Sequence, residues 1–128
     1  MSDNNLPAGT IGWIDLTVQD ARKIKDFYHQ VVGWQPDEVP MGDYADFNMK
    51  SPETGQPLAG VCHARGINAA LPPYWLIYIV VENLDHSINN CKKLGGKIIV
   101  GPKSMEGHGR YAVMQDPAGA YSALFEKS

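Results

Sequence analysis

Apolar and polar positions alternate through WIDLTVQD at 13–20. Ile14, Leu16 and Val18 fall on one side, and Trp13, Asp15 and Thr17 on the other. A period of two over this length predicts a strand with the first set facing a core. Asp20 then stands where a helix N-cap belongs. Ile24, Phe27, Tyr28, Val31 and Val32 follow at i, i+3, i+4, i+7 and i+8, the stripe of a helix with one face on a core. Gly33 closes that helix. Strand-like runs come next at 34–39, 44–49 and 58–63, separated by turn signals in PMGD at 40–43 and SPETGQP at 51–57. The segment ARGINAALPP at 64–73 reads as a connector.

The same order then recurs. In LIYIVVEN at 76–83, Ile77, Ile79 and Val81 alternate as Ile14, Leu16 and Val18 did. Asn83 stands at a second N-cap, the helix after it carries Leu84, Ile88, Cys91 and Leu94 on one face, and Gly95 and Gly96 stop it. Val81 lies 63 residues after Val18, and Gly96 lies 63 residues after Gly33, so the helix between them has one length in both copies. Three more strand-like runs follow at 97–102, 110–115 and 121–126, with the turn DPAG at 116–119 where SPETG stood before. The chain reads as an internal duplication of strand–helix–strand–strand–strand. One copy cannot bury its sheet face alone, so copies must pair, within a chain or between chains.

Composition narrows the class. With 128 residues, 44% hydrophobic and 20% charged, the chain has the size and balance of one globular domain. The formal net charge is −3, and Lys and Arg are scattered singly, which argues against nucleic acid as a partner. No apolar run approaches a membrane span. The polar MSDNNLPAGT carries no export signal, so the expected location is cytoplasmic. The only cysteines, Cys62 and Cys91, match no zinc or redox spacing and are expected as reduced thiols. Residues 1–9 are expected as a loose tail ahead of a domain at 10–128, with modules at about 10–64 and 74–127.

Two stretches carry a family likeness: IGWIDLTVQDARKIKDFYHQVVGW at 11–34 and GRYAVMQDPAGAYSALFEK at 109–127. A strand, an Asp, a helix with Phe-Tyr and a closing Gly-Trp, then an Asp-Pro-x-Gly turn before the last strand, resemble the vicinal oxygen chelate superfamily. That superfamily includes glyoxalase I, bleomycin-resistance proteins and extradiol dioxygenases. The resemblance implies an α+β fold, with two βαβββ modules forming a cupped mixed sheet and helices outside. It also implies a dimer. In the family, a divalent metal sits in the cup on His, Gln and Glu ligands. The matching positions here are Trp13, seven residues before Asp20, together with Leu76, Ala123 and, in LAGVCH, Gly60. None of the four side chains can coordinate a metal. No metal and no cofactor are therefore expected.

The resemblance also assigns the mixed face of WIDLTVQD to the cup. Trp13, Asp15 and Thr17 are expected to line a cavity with Leu76, Tyr78, Tyr121, Ala123 and Phe125, and with Cys62 or His63, whichever faces it. Such walls suit a small organic ligand, although Trp13 and Tyr78 serve equally as filler. Adjacent on a strand, Cys62 and His63 point to opposite faces and form no catalytic pair. His29 and His86 are expected in solvent, and His108 in a surface loop near the cavity mouth. MEGHGR at 105–110 lacks the context of a phosphate cradle. Three readings stand at this point. The first is a metal-independent binder of a small molecule, resembling bleomycin-resistance proteins and forming a homodimer. The second is a metal-dependent lyase, isomerase or dioxygenase with rearranged ligands such as Asp15 with Cys62 or His63. The third is an accessory protein with a vestigial cup. No residue is assigned a catalytic role.

Overall fold

The computed structural model describes residues 6–105 and 107–127. By its internal contacts the chain divides into two compact units, Ile14–Trp75 and Leu76–Ser128 with the segment up to Trp13. Each is a βαβββ module of the α+β class, as the repeat predicts.

In the first module, β1 (Ile11–Val18) leads into α1 (Ala21–Val32), followed by β2 (Gln35–Pro40), β3 (Ala45–Lys50) and β4 (Pro57–His63). β2 pairs antiparallel with β3, β3 antiparallel with β4, and β4 parallel with β1. The sheet is thus mixed, and α1 provides the crossover that a parallel pair needs. Its helix-side core is Ala21, Phe47, Met49, Ala59 and Val61, with Ile14, Val18, Ile24, Tyr28, Trp34 and Trp75 packed against them.

The Asp20 carboxylate accepts the Lys23 N–H at 3.1 Å, satisfying one of the donors orphaned in the first turn. Gly33 closes the helix in the left-handed region at φ 88°, its N–H donating to the His29 carbonyl. Asp20→Ala is expected to cost about 1 kcal/mol, read from the urea midpoint, since it removes this side-chain cap.

The structure corrects two details of this helix. Only part of the predicted stripe is covered: Ile24 and Tyr28 meet the core, beside Ala21, whereas Phe27, Val31 and Val32 are 54%, 65% and 50% exposed. The apolar arc is wider than the sheet beneath it. His29 is not a solvated side chain either. The turn at Gly33 brings the chain back, and the His29 Nδ1 lies 2.6 Å from the Trp34 carbonyl oxygen.

The second module repeats the plan with β5 (Trp75–Val80), α2 (Leu84–Lys93), β6 (Lys97–Met105), β7 (Gly109–Gln115) and β8 (Tyr121–Lys127). β6 pairs antiparallel with β7, β7 antiparallel with β8, and β8 parallel with β5. Leu84, Ile88, Ala112 and Leu124 form its helix-side core, with Val81, Ile98 and Met114 packed against them. The Asn83 side chain caps α2 by accepting the His86 N–H at 3.0 Å, and Glu126 on β8 accepts the Leu84 N–H at 2.7 Å. Arg110 donates to that same Glu126 carboxylate at 3.1 Å and to Asp85 at 3.3 Å, tying the helix start to β7 and β8. Leu94 departs from its expected place on the buried face. It follows the last helical residue and is 76% exposed, because the turn to Gly95 swings it outward.

β6 runs three residues beyond its predicted end, through a cis Gly101–Pro102 peptide. Gly101 has φ 90°, and a Cβ there would meet the Tyr111 carbonyl oxygen at 2.7 Å, so only glycine fits. Of the expected loose tail, residues 1–5 lie outside the described residues. Gly9 donates to the Val80 carbonyl, and Thr10 accepts the Val80 N–H, so the later part of that segment is bonded to β5. In MEGHGR, residue 106 lies outside the described residues, and His108 is exposed between β6 and β7.

Candidate functional site

Alternation on β1 puts Ile14, Leu16 and Val18 on the helix side and Asp15 and Thr17 on the other. Register decides what stands beside them. Asp15 pairs with Gly60 and Thr17 with Cys62 across the parallel β1–β4 ladder. Asn48 on β3 pairs with Gly60, so Asp46, two residues before it, shares this face with Cys62. The helix-free face of the first module therefore gathers two carboxylates, a hydroxyl, a thiol and an amide around a glycine.

Asp15 and Thr17 are buried, at 9% and 7% exposure, and Cys62 is half-buried. Burial pushes the Cys62 thiol well above its ordinary value, and the charges of Asp15 and Asp46 push it the same way. The thiol is held protonated and poorly nucleophilic. His63 stands one residue on, at the register position of Val18 on the helix side. Its backbone N–H donates to Asp46 Oδ1 at 2.8 Å, its ring Nδ1 lies 3.4 Å from that oxygen, and Tyr44 meets the ring edge-on at 5.5 Å. Cys62 and His63 thus take opposite faces of β4, with the Asp46 carboxylate beside both.

The helix-free face of the second module is different in kind. Leu76, Tyr78 and Val80 on β5, Tyr111 and Val113 on β7, and Ala123 and Phe125 on β8 are all buried. Tyr78 pairs with Ala123, and its ring centroid lies 6.1 Å from that of Tyr111. Tyr121 is half-buried opposite Gln115, at the start of β8. Trp13, on β1, is half-buried. Of the expected lining residues, Asp15, Thr17 and Cys62 thus come together in one module, and Leu76, Tyr78, Tyr121 and Ala123 share the sheet of the other.

Asp46 and Tyr111 were not among the expected residues. The alternation Asp46, Asn48, Lys50 within β3 was the available signal for Asp46. Tyr111 begins an equally regular run, but nothing local distinguishes its side from the helix side.

Among the described residues, no group of three or more His, Cys, Asp or Glu side chains is arranged to hold a metal ion. The four positions where the family would place ligands carry an indole (Trp13), two aliphatic side chains (Leu76, Ala123) and none (Gly60). This donor set does not fit the family's metal. Among the described residues, no helix is long and apolar enough to cross a membrane.

Comparisons with known proteins agree with this architecture. Solved structures of methylmalonyl-CoA epimerases share it. A variant of the Streptomyces coelicolor enzyme aligns at TM-score 0.62 and 12% identity over 95% of this chain and 96% of its own. The Mycobacterium tuberculosis enzyme aligns at TM-score 0.54 and 15% identity over 97% and 94%. At such identities the likeness is one of fold. In sequence, the chain is 27% identical over 119 residues to CFP32 of Mycobacterium bovis, named provisionally as a glyoxylase, covering 92% of this chain and 46% of that protein. It is 28% identical over 134 residues to the anthracycline biosynthesis protein DnrV of Streptomyces peucetius, covering 93% and 47%. The chain spans about half the length of the curated relatives it matches. The model of the Glyoxalase/Bleomycin resistance protein/Dioxygenase superfamily matches residues 10–122, nearly the whole chain, and the protein belongs to that superfamily, the vicinal oxygen chelate proteins.

Proposed function

We propose that this protein binds a small organic molecule against the helix-free face of its first module and does so without the family's metal. The observation that carries the reading is the gathering of Asp15, Thr17, Asp46 and Cys62 around Gly60. The surrounding groups offer acceptors and a hydroxyl to orient a guest. Buried polar groups of this kind are costly unless they serve structure or a ligand. The donor sets at the family positions support the metal-free part. Membership in a superfamily that includes bleomycin-resistance proteins, and likeness to a protein named for anthracycline biosynthesis, support a polycyclic or heteroaromatic guest. The reading includes a homodimer working in the cytoplasm.

The test is a titration of the purified protein with bleomycin and with an anthracycline, followed by amide NMR, with elemental analysis of the same preparation. Saturable binding is expected, with shifts at Asp15, Thr17, Gly60 and Cys62, weakened in Asp15→Asn and Thr17→Val. No stoichiometric nickel, zinc, iron or manganese is expected, and light scattering should give twice the 14.1 kDa chain mass. A stoichiometric metal that is lost in Asp15→Ala would replace this reading by a metalloenzyme with rearranged ligands. Failure of every probe to shift this face would leave the vestigial-cup reading in its place.

A further inference from the structure

The first module holds a cavity on its other side, between α1 and the sheet. It measures about 260 Å³ and is lined by Leu16 and Val18 from β1, Ile24, Phe27 and Tyr28 from α1, and Pro73 and Trp75. Its floor is aliphatic and its walls are aromatic. Tyr28 and Trp75 meet edge-to-face at 5.3 Å, and Phe27 and Tyr28 do so at 5.1 Å. These rings are thus fixed at near right angles and cannot collapse onto one another by stacking. Among the described residues, no charged side chain lines the space.

One polar feature stands in this apolar surround. The Trp75 indole N–H donates to the Tyr28 hydroxyl oxygen at 3.1 Å. No hydrogen bond among the described residues takes the proton of that hydroxyl. The pair thus presents a single O–H donor beside an apolar hollow. Among its lining residues, Phe27 is 54% exposed. Large apolar side chains left in water at the mouth of an apolar cavity mark a surface that gains by being covered.

We infer that this cavity is a second ligand site, separate from the helix-free face, for a neutral single-ring aromatic molecule bearing one hydrogen-bond acceptor. Volume sets the size, since an apolar cavity of about 150 Å³ accepts benzene and this one has room for a ring with a short substituent. The lining, apolar but for the Tyr28–Trp75 hydrogen bond, sets the charge, because a carboxylate or ammonium there would lose water without gaining a charged partner. The Tyr28 hydroxyl sets the polarity, because a guest with an acceptor uses a donor that a hydrocarbon leaves idle.

The test uses acetophenone, toluene and benzoate as probes of matched ring size, titrated into the isotopically labelled protein up to about 10 mM, a range suited to the few atoms such probes offer. Acetophenone is expected to give saturable shifts at Ile24, Phe27 and the Trp75 indole N–H, with none at Asp46 or Asn48, which lie on β3 away from the cavity lining. It should bind about three- to tenfold tighter than toluene, the worth of one hydrogen bond. Benzoate should give no saturable shift. Phe27→Ala should weaken both neutral probes. Tyr28→Phe combined with Trp75→Phe removes both polar groups and should bring acetophenone and toluene to the same affinity. Val31→Glu, on the same exposed arc outside the cavity, should leave probe binding and molecular mass unchanged. Shifts confined to the helix-free face, equal binding of benzoate, or absence of any saturable shift in a protein of native spectrum would each overturn the assignment. A Val31→Glu variant of half the wild-type mass would give this face to a second copy of the chain and overturn it as well.

Discussion

Phe47→Ala is expected to lower the stability of this protein by about 3–5 kcal/mol, the range for removing a fully buried large aromatic side chain. Phe47 lies at the centre of the first module's sheet and is 1% exposed. It is packed with Ala21, Met49, Ala59 and Val61, and the Arg22 guanidinium and the Lys25 ammonium lie 5.6 and 5.2 Å from its ring centroid. Truncation leaves a void that its neighbours cannot close, because Ala21 and Ala59 are already as small as side chains come. It also strips two cations of their ring. Domains of this size hold about 5–15 kcal/mol in total, so a large share of stability is at stake. Urea denaturation followed by far-ultraviolet circular dichroism measures it. A loss below about 1 kcal/mol, typical of an exposed position, would show that the core is not centred on Phe47.

Alkylation of Cys62 by iodoacetamide at pH 8 is expected to be slower in the folded protein than in denaturant, since the raised pKa leaves less of the thiol as the reactive thiolate. Burial raises this thiol first, and the Asp15 and Asp46 charges add to it. The sign for stability follows. The folded chain holds the Cys62 proton more tightly than the unfolded chain does. That contribution is complete below the unfolded thiol's pKa and is lost as pH rises beyond it. Asp46→Asn removes one of the two charges and should speed alkylation, with mass spectrometry separating Cys62 from Cys91. Equal rates in folded and unfolded protein would remove Cys62 from the buried, carboxylate-flanked environment on which the proposed ligand site rests.

The local grammar of the chain was legible without the fold. Period-two alternation in WIDLTVQD and LIYIVVEN named β1 and β5, and Asp20, Gly33 and Asn83 placed helix ends that the structure confirms. Equal spacing across the two copies predicted the duplicated βαβββ order. These features depend on near neighbours along the chain. Strand alternation, capping and positive-φ glycines are decided by residues within about four positions.

The site was legible only in part. Asp15 and Thr17 declared a polar face on β1, but nothing in sequence set Cys62 beside Thr17 rather than one residue away. A slip of one residue on β4 would have put His63 there instead, since facing alternates with every position. The β1–β4 register decided it, and that register is set by the hydrophobic set of β4, where Ala59 and Val61 must join the helix-side core. Asp46 entered through β3 pairing in the same way.

The sequence by itself determined the elements, their duplication and the kinds of residue at the family positions, because each is a matter of local spacing. Tertiary structure alone decided which strand lies beside which, how little of the α1 stripe is covered, and that the outer face of the first module carries an open hollow beside Tyr28 and Trp75. The physical reason is separation along the chain. Tyr28 and Trp75 are joined by a hydrogen bond across 47 residues, and such contacts exist only once the packing of helix on sheet has chosen among many chains of equal local pattern.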